Sequence, residues 1–256
     1  MFTTCPKCRY ERSQEDTSVP DICPACGLVF SKWMKKQFST APSESGKSIL
    51  SATDDPDLIQ TILAGLFFVE PKTNPVYFYG RTLVYVIFLF WGWQFILMDF
   101  TSNEIGESFM HNVNLVFHEA GHILFRPFGW FITILGGTLG QLLMPVIVIL
   151  TLILKERNNF AASIGLWWLG QSLMDCAPYI NDAREQQLIL LGGHTGRDAP
   201  GYHDWNNILV WLDQLENAGA YANMADITGT LLMICAFAWG GYILYRQYRN
   251  MQRIPV

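Results

Sequence analysis

Charged residues are scarce in this sequence. They make up 15% of its 256 residues, whereas hydrophobic residues make up 50%. The apolar residues gather in runs long enough to cross a bilayer, so we expect a small domain and a membrane domain. The net charge of −5 argues against a nucleic-acid-binding protein. Residues 1–12 lack the apolar segment of a signal peptide, and we expect none.

Four of the six cysteines form two C-x-x-C pairs near the N-terminus. The pairs are Cys5 with Cys8 and Cys23 with Cys26. Their separation is close to that of a four-cysteine zinc ribbon. A redox dithiol would need only one such pair, and a disulfide framework would need an oxidising compartment. The spacing therefore predicts a structural zinc site in the reducing cytosol.

The composition predicts three regions along the chain. Residues 1–31 form the zinc ribbon, which is too short for a hydrophobic core and depends on its metal to fold. Residues 32–57 begin with lysines and continue with Ser, Thr, Pro and Asp, which indicates a flexible linker. Residues 58–256 form a membrane-embedded domain.

Long apolar runs in residues 58–256 predict transmembrane helices. These runs are residues 76–98, 128–154, 160–180 and 227–245. Residues 58–69 are too few to span and predict a helix at the membrane interface. We therefore expect an all-α polytopic membrane protein with about four transmembrane helices and a small N-terminal ribbon.

A His-Glu-x-x-His motif lies in a further apolar segment, at His118, Glu119 and His122. In a helix, the four-residue spacing places both imidazoles on one face, where they can bind one zinc ion. Glu119 would lie beside the metal and act as general base on zinc-activated water. Such patterns also arise by chance, but three ionisable residues are costly to bury in a membrane, which favours a functional site.

Lysine and arginine are distributed unevenly among the loops. Residues 155–157 and the C-terminal tail are basic, whereas residues 99–112 contain three acids and neither Lys nor Arg. The positive-inside rule then places the ribbon and the tail in the cytoplasm, with residues 99–112 and 181–225 outside. We expect the motif helix to be inserted only partway from the outer side. If it crossed fully, the basic tail would lie outside.

A catalytic zinc usually has three protein ligands, and two residues are candidates for the third. Asp175 is an acid near the end of a predicted membrane helix, where it could also be a helix-end carboxylate. His203 precedes Asp204, which could support it or cap the next helix. We expect Asp175 and His203 both to approach the metal, one as a ligand and the other as a ligand or a ligand's partner.

Other polar residues have narrower predicted roles. Asp182 and Asp204 are candidates for hydrogen bonds to a ligand. Gln141 could bind a substrate carbonyl or oxyanion, although the glycines before it are typical of closely packed membrane helices. His194 is expected to be a loop histidine, and His111 is expected to lie on the surface of the outer loop.

The motif, followed by a glycine-rich membrane segment and an acid on a later helix, resembles the site-2 protease class of intramembrane zinc metalloproteases. The similarity is greatest to their small bacterial peptidase-like relatives and covers roughly residues 113–205. It implies three zinc ligands and a general base, namely His118, His122, Asp175 and Glu119. The chain departs from the family's Asp-Gly signature, because Cys176 follows the acid.

These features predict a membrane-embedded zinc metalloprotease with one catalytic and one structural zinc ion. We expect it in a bacterial-type inner membrane, acting on a membrane-associated protein or peptide, with a partner protein at the ribbon and no nucleic acid. Two alternatives remain open. One is a non-enzymatic membrane scaffold or metal-handling protein that binds partners through the ribbon. The other is a zinc hydrolase of lipid or of small amides and esters.

Overall fold

The structure, a computed structural model, describes residues 4–11, 13, 16, 21–33, 58–71 and 73–252. The chain divides into two compact units, Met1–Asp55 and Pro56–Val256. Most of the predicted linker, residues 34–57, lies outside the described residues, so its flexibility stays a prediction.

The second unit is helical, which confirms the predicted all-α class. Its α-helices are α1 (Leu58–Leu66), α2 (Pro75–Leu97), α3 (Phe109–Phe125), α4 (Trp130–Leu154), α5 (Asn159–Asn181), α6 (Asp204–Trp211) and α7 (Ala218–Gln252). Short 3₁₀ helices precede α3, join it to α4 and precede α7. The last helix begins at Ala218, earlier than the predicted residue 227. Its first two turns lie in the segment 181–225, which was predicted to be an outer loop.

Helices α2, α4, α5 and α7 form an antiparallel bundle. The Tyr85 hydroxyl of α2 donates to the Phe237 carbonyl of α7 at 3.0 Å. The Gln141 amide of α4 donates to the Ser172 carbonyl of α5 at 3.1 Å. Most of α5 is buried between α4 and α7. We name the two ends of this bundle after the short helices beside them, the α1 end and the α6 end.

Hydrogen bonds define these two ends. At the α1 end, the Asn159 side chain donates to the carbonyls of Gly65 and Phe68 at 2.8 and 3.0 Å. At the α6 end, the Asn206 side chain donates to the Ala183 carbonyl at 2.8 Å. Helix α5 thus connects the two ends of the bundle.

Three helical segments within the described residues are long and apolar enough to cross a membrane. They are Pro75–Leu97, Trp130–Leu154 and Leu215–Met251. Large apolar side chains such as Leu83, Phe90 and Ile147 are exposed on them. Because exposing such surface to water is unfavourable, these segments indicate an integral membrane protein.

Helix α5 was also predicted to span, but it is not among the three segments that are apolar enough. It carries Gln171, Ser172 and Asp175, which lower its hydropathy. All three side chains are buried inside the bundle, where they contact protein groups instead of lipid. Three of the four predicted spans therefore have the length and the composition required.

Helix α3 does not connect the two ends of the bundle. At its start, His111 contacts Asp175, which lies in the last third of α5. Near its end, Phe125 lies against Gly136, in the first third of α4. Both ends of α3 therefore lie toward the α6 end.

The close approach of α5 to α7 provides a test of this packing. A Cβ atom at Gly170 would lie 2.7 Å from the Gly229 carbonyl oxygen, and backbone cannot move away cheaply. We expect Gly170→Ala to destabilise the domain by about 1–3 kcal/mol and lower its Tm in detergent micelles. Gly80→Ala is the matched control, because its Cβ has no atom within 4 Å. Equal Tm values for both variants would contradict the α5–α7 packing.

Candidate metal centres

The four N-terminal cysteines form a close cluster. Their sulfur atoms all lie within 4.8 Å of one another. The Sγ atoms of Cys5 and Cys26, and those of Cys8 and Cys23, are 3.7 Å apart. This separation excludes disulfide bonds, whose sulfur atoms are about 2 Å apart. It matches a tetrahedral zinc–thiolate site, in which bonds of about 2.3 Å place the sulfurs about 3.8 Å apart.

Each C-x-x-C pair is followed by a chain reversal of the same kind. The residue after the second cysteine has a positive φ in both, 59° at Arg9 and 69° at Gly27. In each turn the backbone N–H of this residue donates to the carbonyl of the first cysteine, at 2.9 Å. The reversal lets both cysteines of a pair face the same point, so the two turns together supply four ligands.

The crowded thiols ionise unequally. Burial raises the pKa of Cys5, but N–H groups of Cys8 and Lys7 outweigh it and lower the pKa to about 6. The Tyr10 N–H lowers the pKa of Cys8, but burial and the neighbouring thiols raise it to about 12. A cation between the sulfur atoms would favour the thiolate form of Cys8, because it would offset the repulsion from the neighbouring sulfurs.

In the second unit, two histidines of α3 and one acid of α6 form another group with metal-ligand geometry. The Asp204 Oδ2 atom lies 3.0 Å from His118 Nε2 and 3.2 Å from His122 Nε2. A tetrahedral zinc site with bonds of about 2.0–2.1 Å would separate such ligand atoms by about 3.3 Å. Two imidazoles and a carboxylate also match the donor atoms that zinc prefers.

Both imidazoles are held by their other ring nitrogen. His118 Nδ1 lies 3.3 Å from Gln141 Oε1, and His122 Nδ1 lies 2.8 Å from the Thr133 carbonyl oxygen. Because both oxygens are acceptors, each Nδ1 carries a proton, and each Nε2 faces Asp204. An Nε2 that carries a proton donates to the carboxylate, and an Nε2 without one can bind a metal ion. Metal-binding histidines are oriented in this way in proteins.

Asp204 is positioned by the start of α6. Its backbone N–H donates to the Tyr179 hydroxyl at 2.8 Å. His203 is the N-cap of α6, and its Nδ1 accepts from the Asn206 N–H at 3.1 Å. The opposite nitrogen of His203 lies 3.4 Å from Asp182, whose carboxylate accepts from two loop N–H groups. His203 and Asp182 thus fix the chain around Asp204.

The charge of Asp204 suits a cation site. Burial raises its pKa, but hydrogen bonds from His118 and His122 outweigh this and lower it to about 2. The carboxylate is therefore ionised at neutral pH. A cation between the imidazoles would take the place of their protons as the partner of the Asp204 carboxylate.

Gly137 leaves open the space between the two imidazoles. A Cβ atom at this position would overlap the Nε2 atoms of His118 and His122. The absence of a side chain on this turn of α4 therefore creates a cradle at the point where the two Nε2 atoms converge. Together with the donor set and the distances, this cradle fits a bound metal ion.

Asp175 lies next to this group but contacts other residues. Its Oδ1 is 3.0 Å from His111 Nδ1, and its Oδ2 accepts from the Asn114 and Gln141 side chains at 3.1 and 3.0 Å. Gln141 links it to His118, because the amide oxygen of the same side chain accepts from that imidazole. In this arrangement Asp175 supports a histidine of the group through Gln141.

A cavity of about 720 Å³ opens onto the group. Glu119, Tyr179, Asp204 and both motif histidines line it. Four consecutive apolar residues, Leu188–Leu191, also line it. The half-buried carboxylate of Glu119 therefore shares a cavity with a site that can hold a metal ion. Hydrolysis by metal-activated water needs this arrangement.

The structure brings His118, His122 and Glu119 together as the motif predicts, but it groups Asp204 with them. Neither third-ligand candidate, Asp175 or His203, belongs to the described group of possible ligands. The predicted substrate contact of Gln141 stays a prediction, since its amide is bonded to protein groups. His194 lies outside the cavity lining and packs edge-on against Tyr202, whereas His111 lines the cavity.

The sequence alone did not indicate two further contributors, Thr133 and Tyr179, because each acts through a contact between different helices. Gly137 belongs to the glycine segment before Gln141, which was interpreted as a helix-packing feature. Asp204 carried a signal, namely an acid adjacent to a histidine. The same acid also fitted a helix cap, so the pattern did not distinguish the roles.

Comparison with known protein families, with curated proteins and with solved structures finds no match to this chain.

The identity of the third ligand can be tested by metal counting. With Zn²⁺ supplied, we expect Asp204→Asn to lose one metal ion per chain, because it removes the charged oxygen between the imidazoles. Asp175→Asn keeps the amide network and should retain that metal. The measurement is zinc per chain by mass spectrometry of purified protein. Loss in Asp175→Asn, with retention in Asp204→Asn, would reverse the assignment.

Proposed function

We propose that this chain is a membrane-embedded zinc metalloprotease related to the site-2 protease class. The observation that carries the proposal is one carboxylate oxygen of Asp204 within 3.2 Å of Nε2 of both motif histidines, in a cavity also lined by Glu119. Three ligands and a free carboxylate are the protein groups that zinc peptidases of this motif use.

Each residue of the site has a defined role in this proposal. His118, His122 and Asp204 hold the zinc ion, and Gln141 and Thr133 orient the two imidazoles. Zinc bound there would polarise the peptide carbonyl and lower the pKa of water. Glu119 takes a proton from the attacking water and returns it to the leaving amine. The Tyr179 hydroxyl, also in the cavity lining, holds the backbone of Asp204.

The ribbon binds a second, structural zinc ion through its four cysteines. A zinc ion there stabilises a segment with a core of only a few side chains, including Phe30 and Leu28. We propose that the ribbon recruits a partner or substrate protein. It is the one part of the chain with a cysteine cluster among the described residues.

We propose that α2, α4, α5 and α7 each cross the membrane, and that α3 is inserted only partway. The antiparallel contacts of the four helices support this arrangement, as do the positions of both ends of α3 at the α6 end. A central helix such as α5 can cross while carrying polar residues, because its neighbours shield it from lipid. The catalytic group then lies in the half of the membrane nearer the α6 end.

Charge supports a cytoplasmic α1 end in a bacterial-type inner membrane. Basic residues there outnumber acids and include Arg81, Lys155, Arg157, Arg246 and Arg249. At the α6 end, Arg184 and Arg197 are paired with Glu216 and Glu185 at 3.1 and 2.7 Å. Because basic loops remain in the cytoplasm, the catalytic cavity would open toward the outer side.

Sidedness can be tested with two exposed residues at opposite ends. We expect Glu104→Cys to react with a membrane-impermeant maleimide in intact cells, because it lies at the α6 end. Lys155→Cys should react only after the membrane is permeabilised. Labelling of the unchanged protein measures the background from its native cysteines. The reverse labelling pattern would place the cavity on the cytoplasmic side.

The role of Glu119 can be tested by a charge-neutral substitution. We expect Glu119→Gln to keep both zinc ions and to reduce peptide cleavage at least 100-fold, the contribution of a general base. Cleavage is measured with a pool of quenched fluorescent peptides and the zinc-loaded protein in micelles. Glu107→Gln, an exposed acid at the same end of the bundle, is the control and should cleave as the parent does.

The same assay separates the alternatives. Undiminished cleavage by Glu119→Gln contradicts the mechanism. Activity on lipids or small esters, with none on peptides, favours the wider hydrolase class. One zinc ion per chain, bound by the cysteines, favours a membrane scaffold.

A further inference from the structure

The cavity contains a second polar pair outside the metal group, formed by His111 and Asp175. Their nearest atoms, Nδ1 and Oδ1, are 3.0 Å apart. The Asp175 side chain is only 2% exposed, and the Asn114 and Gln141 amides hold its other oxygen. The carboxylate is thus fixed on one side by amides and in turn fixes the His111 ring.

The free edge of the His111 ring is available to the cavity. Its side chain is 36% exposed and lines the cavity. Within the described part of the chain, Nε2 of this ring has no hydrogen-bond partner. A carboxylate at 3.0 Å favours the imidazolium form, which carries a proton on both nitrogens. Nε2 can therefore donate to an acceptor in the cavity.

His111 lies at a defined distance from the metal group. It precedes His118 by seven residues, or two helical turns, so both lie on one face of α3. At 1.5 Å per residue, their separation along the helix axis is about 10.5 Å. An extended peptide advances about 3.3 Å per residue. Three residues of such a peptide therefore cover this distance.

We propose that His111, held by Asp175, is a substrate subsite that binds a main-chain carbonyl about three residues from the cleaved peptide bond. Every residue supplies such a carbonyl, so the subsite selects an extended backbone rather than a particular side chain. The apolar residues Leu188–Leu191 can contact the side chains of the same peptide. The inference rests on the proposed protease function and specifies its substrate as an extended, unfolded segment.

Hydroxamate-capped alanine peptides test the subsite without requiring cleavage. One series extends from the hydroxamate toward the N-terminal side of the cleaved bond, the other toward the C-terminal side, each with one to four residues. Dissociation constants are measured by calorimetry with the zinc-loaded protein in micelles. In one series, we expect the third residue to tighten binding about fivefold to tenfold, the effect of one hydrogen bond.

Three variants identify the origin of this step. His111→Phe keeps a ring but has no donor, and it should lose the step. His111→Gln keeps an N–H donor and should retain most of it. Asn112→Ala, a neighbour that lines the same cavity, is the control and should behave as the parent. Equal binding of the one-residue hydroxamate to every variant shows an intact metal centre. If His111→Phe fails this check, His111→Ala takes its place as the variant without a donor.

The outcomes separate the subsite from the metal centre. If the hydroxamates bind but neither series shows a step at the third residue, the subsite is wrong and the metal centre stands. A step that persists in His111→Phe, or in His111→Ala where that variant is used instead, also overturns the subsite. If the hydroxamates bind the parent no better than they bind Asp204→Asn, the metal centre is wrong and the subsite falls with it.

Discussion

The candidate metal centre of the second unit depends on the placement of one carboxylate, Asp204, opposite two imidazoles of α3. The oxygen lies within 3.2 Å of both Nε2 atoms, a geometry that suits either N–H donors or a cation between the two rings. The surrounding structure maintains this geometry. Gln141 and Thr133 orient the rings, Gly137 keeps the space between them clear, and the start of α6 fixes the carboxylate. The close packing of α3 on α4 and the N-cap of α6 together hold the three side chains in place.

The buried polar network explains how α5 can carry several polar residues inside the bundle. Asp175, Gln171 and Asn114 would be costly on a lipid-facing surface. In the bundle they bond to one another, with Asn114 donating to Gln171 at 2.8 Å and to Asp175 at 3.1 Å. The network continues through Gln141 to His118. A polar α5 is therefore compatible with a membrane protein, because its partners are protein groups.

Much of the architecture followed from the sequence because it depends on local patterns. The C-x-x-C spacing, the apolar runs and the His-Glu-x-x-His period each describe residues close in the chain. The start of the last helix was predicted less well. The polar residues before residue 225 suggested a loop, yet α7 already begins at Ala218, where Ala218 and Ala222 are buried against neighbouring elements. Tertiary packing outweighed local polarity there.

The sequence by itself determined which residues can bind metal and which segments are apolar enough for a bilayer. Spacing fixes the side chains that share a helical face, so His118, His122 and the four cysteines could be identified from the chain alone. Only the tertiary structure decided which acid joins the two histidines. Asp175, Asp182 and Asp204 are equivalent as residue types, and 86 residues separate Asp204 from His118. The α6 cap brings Asp204 to the imidazoles, while the amides of Asn114 and Gln141 hold Asp175 beside His111.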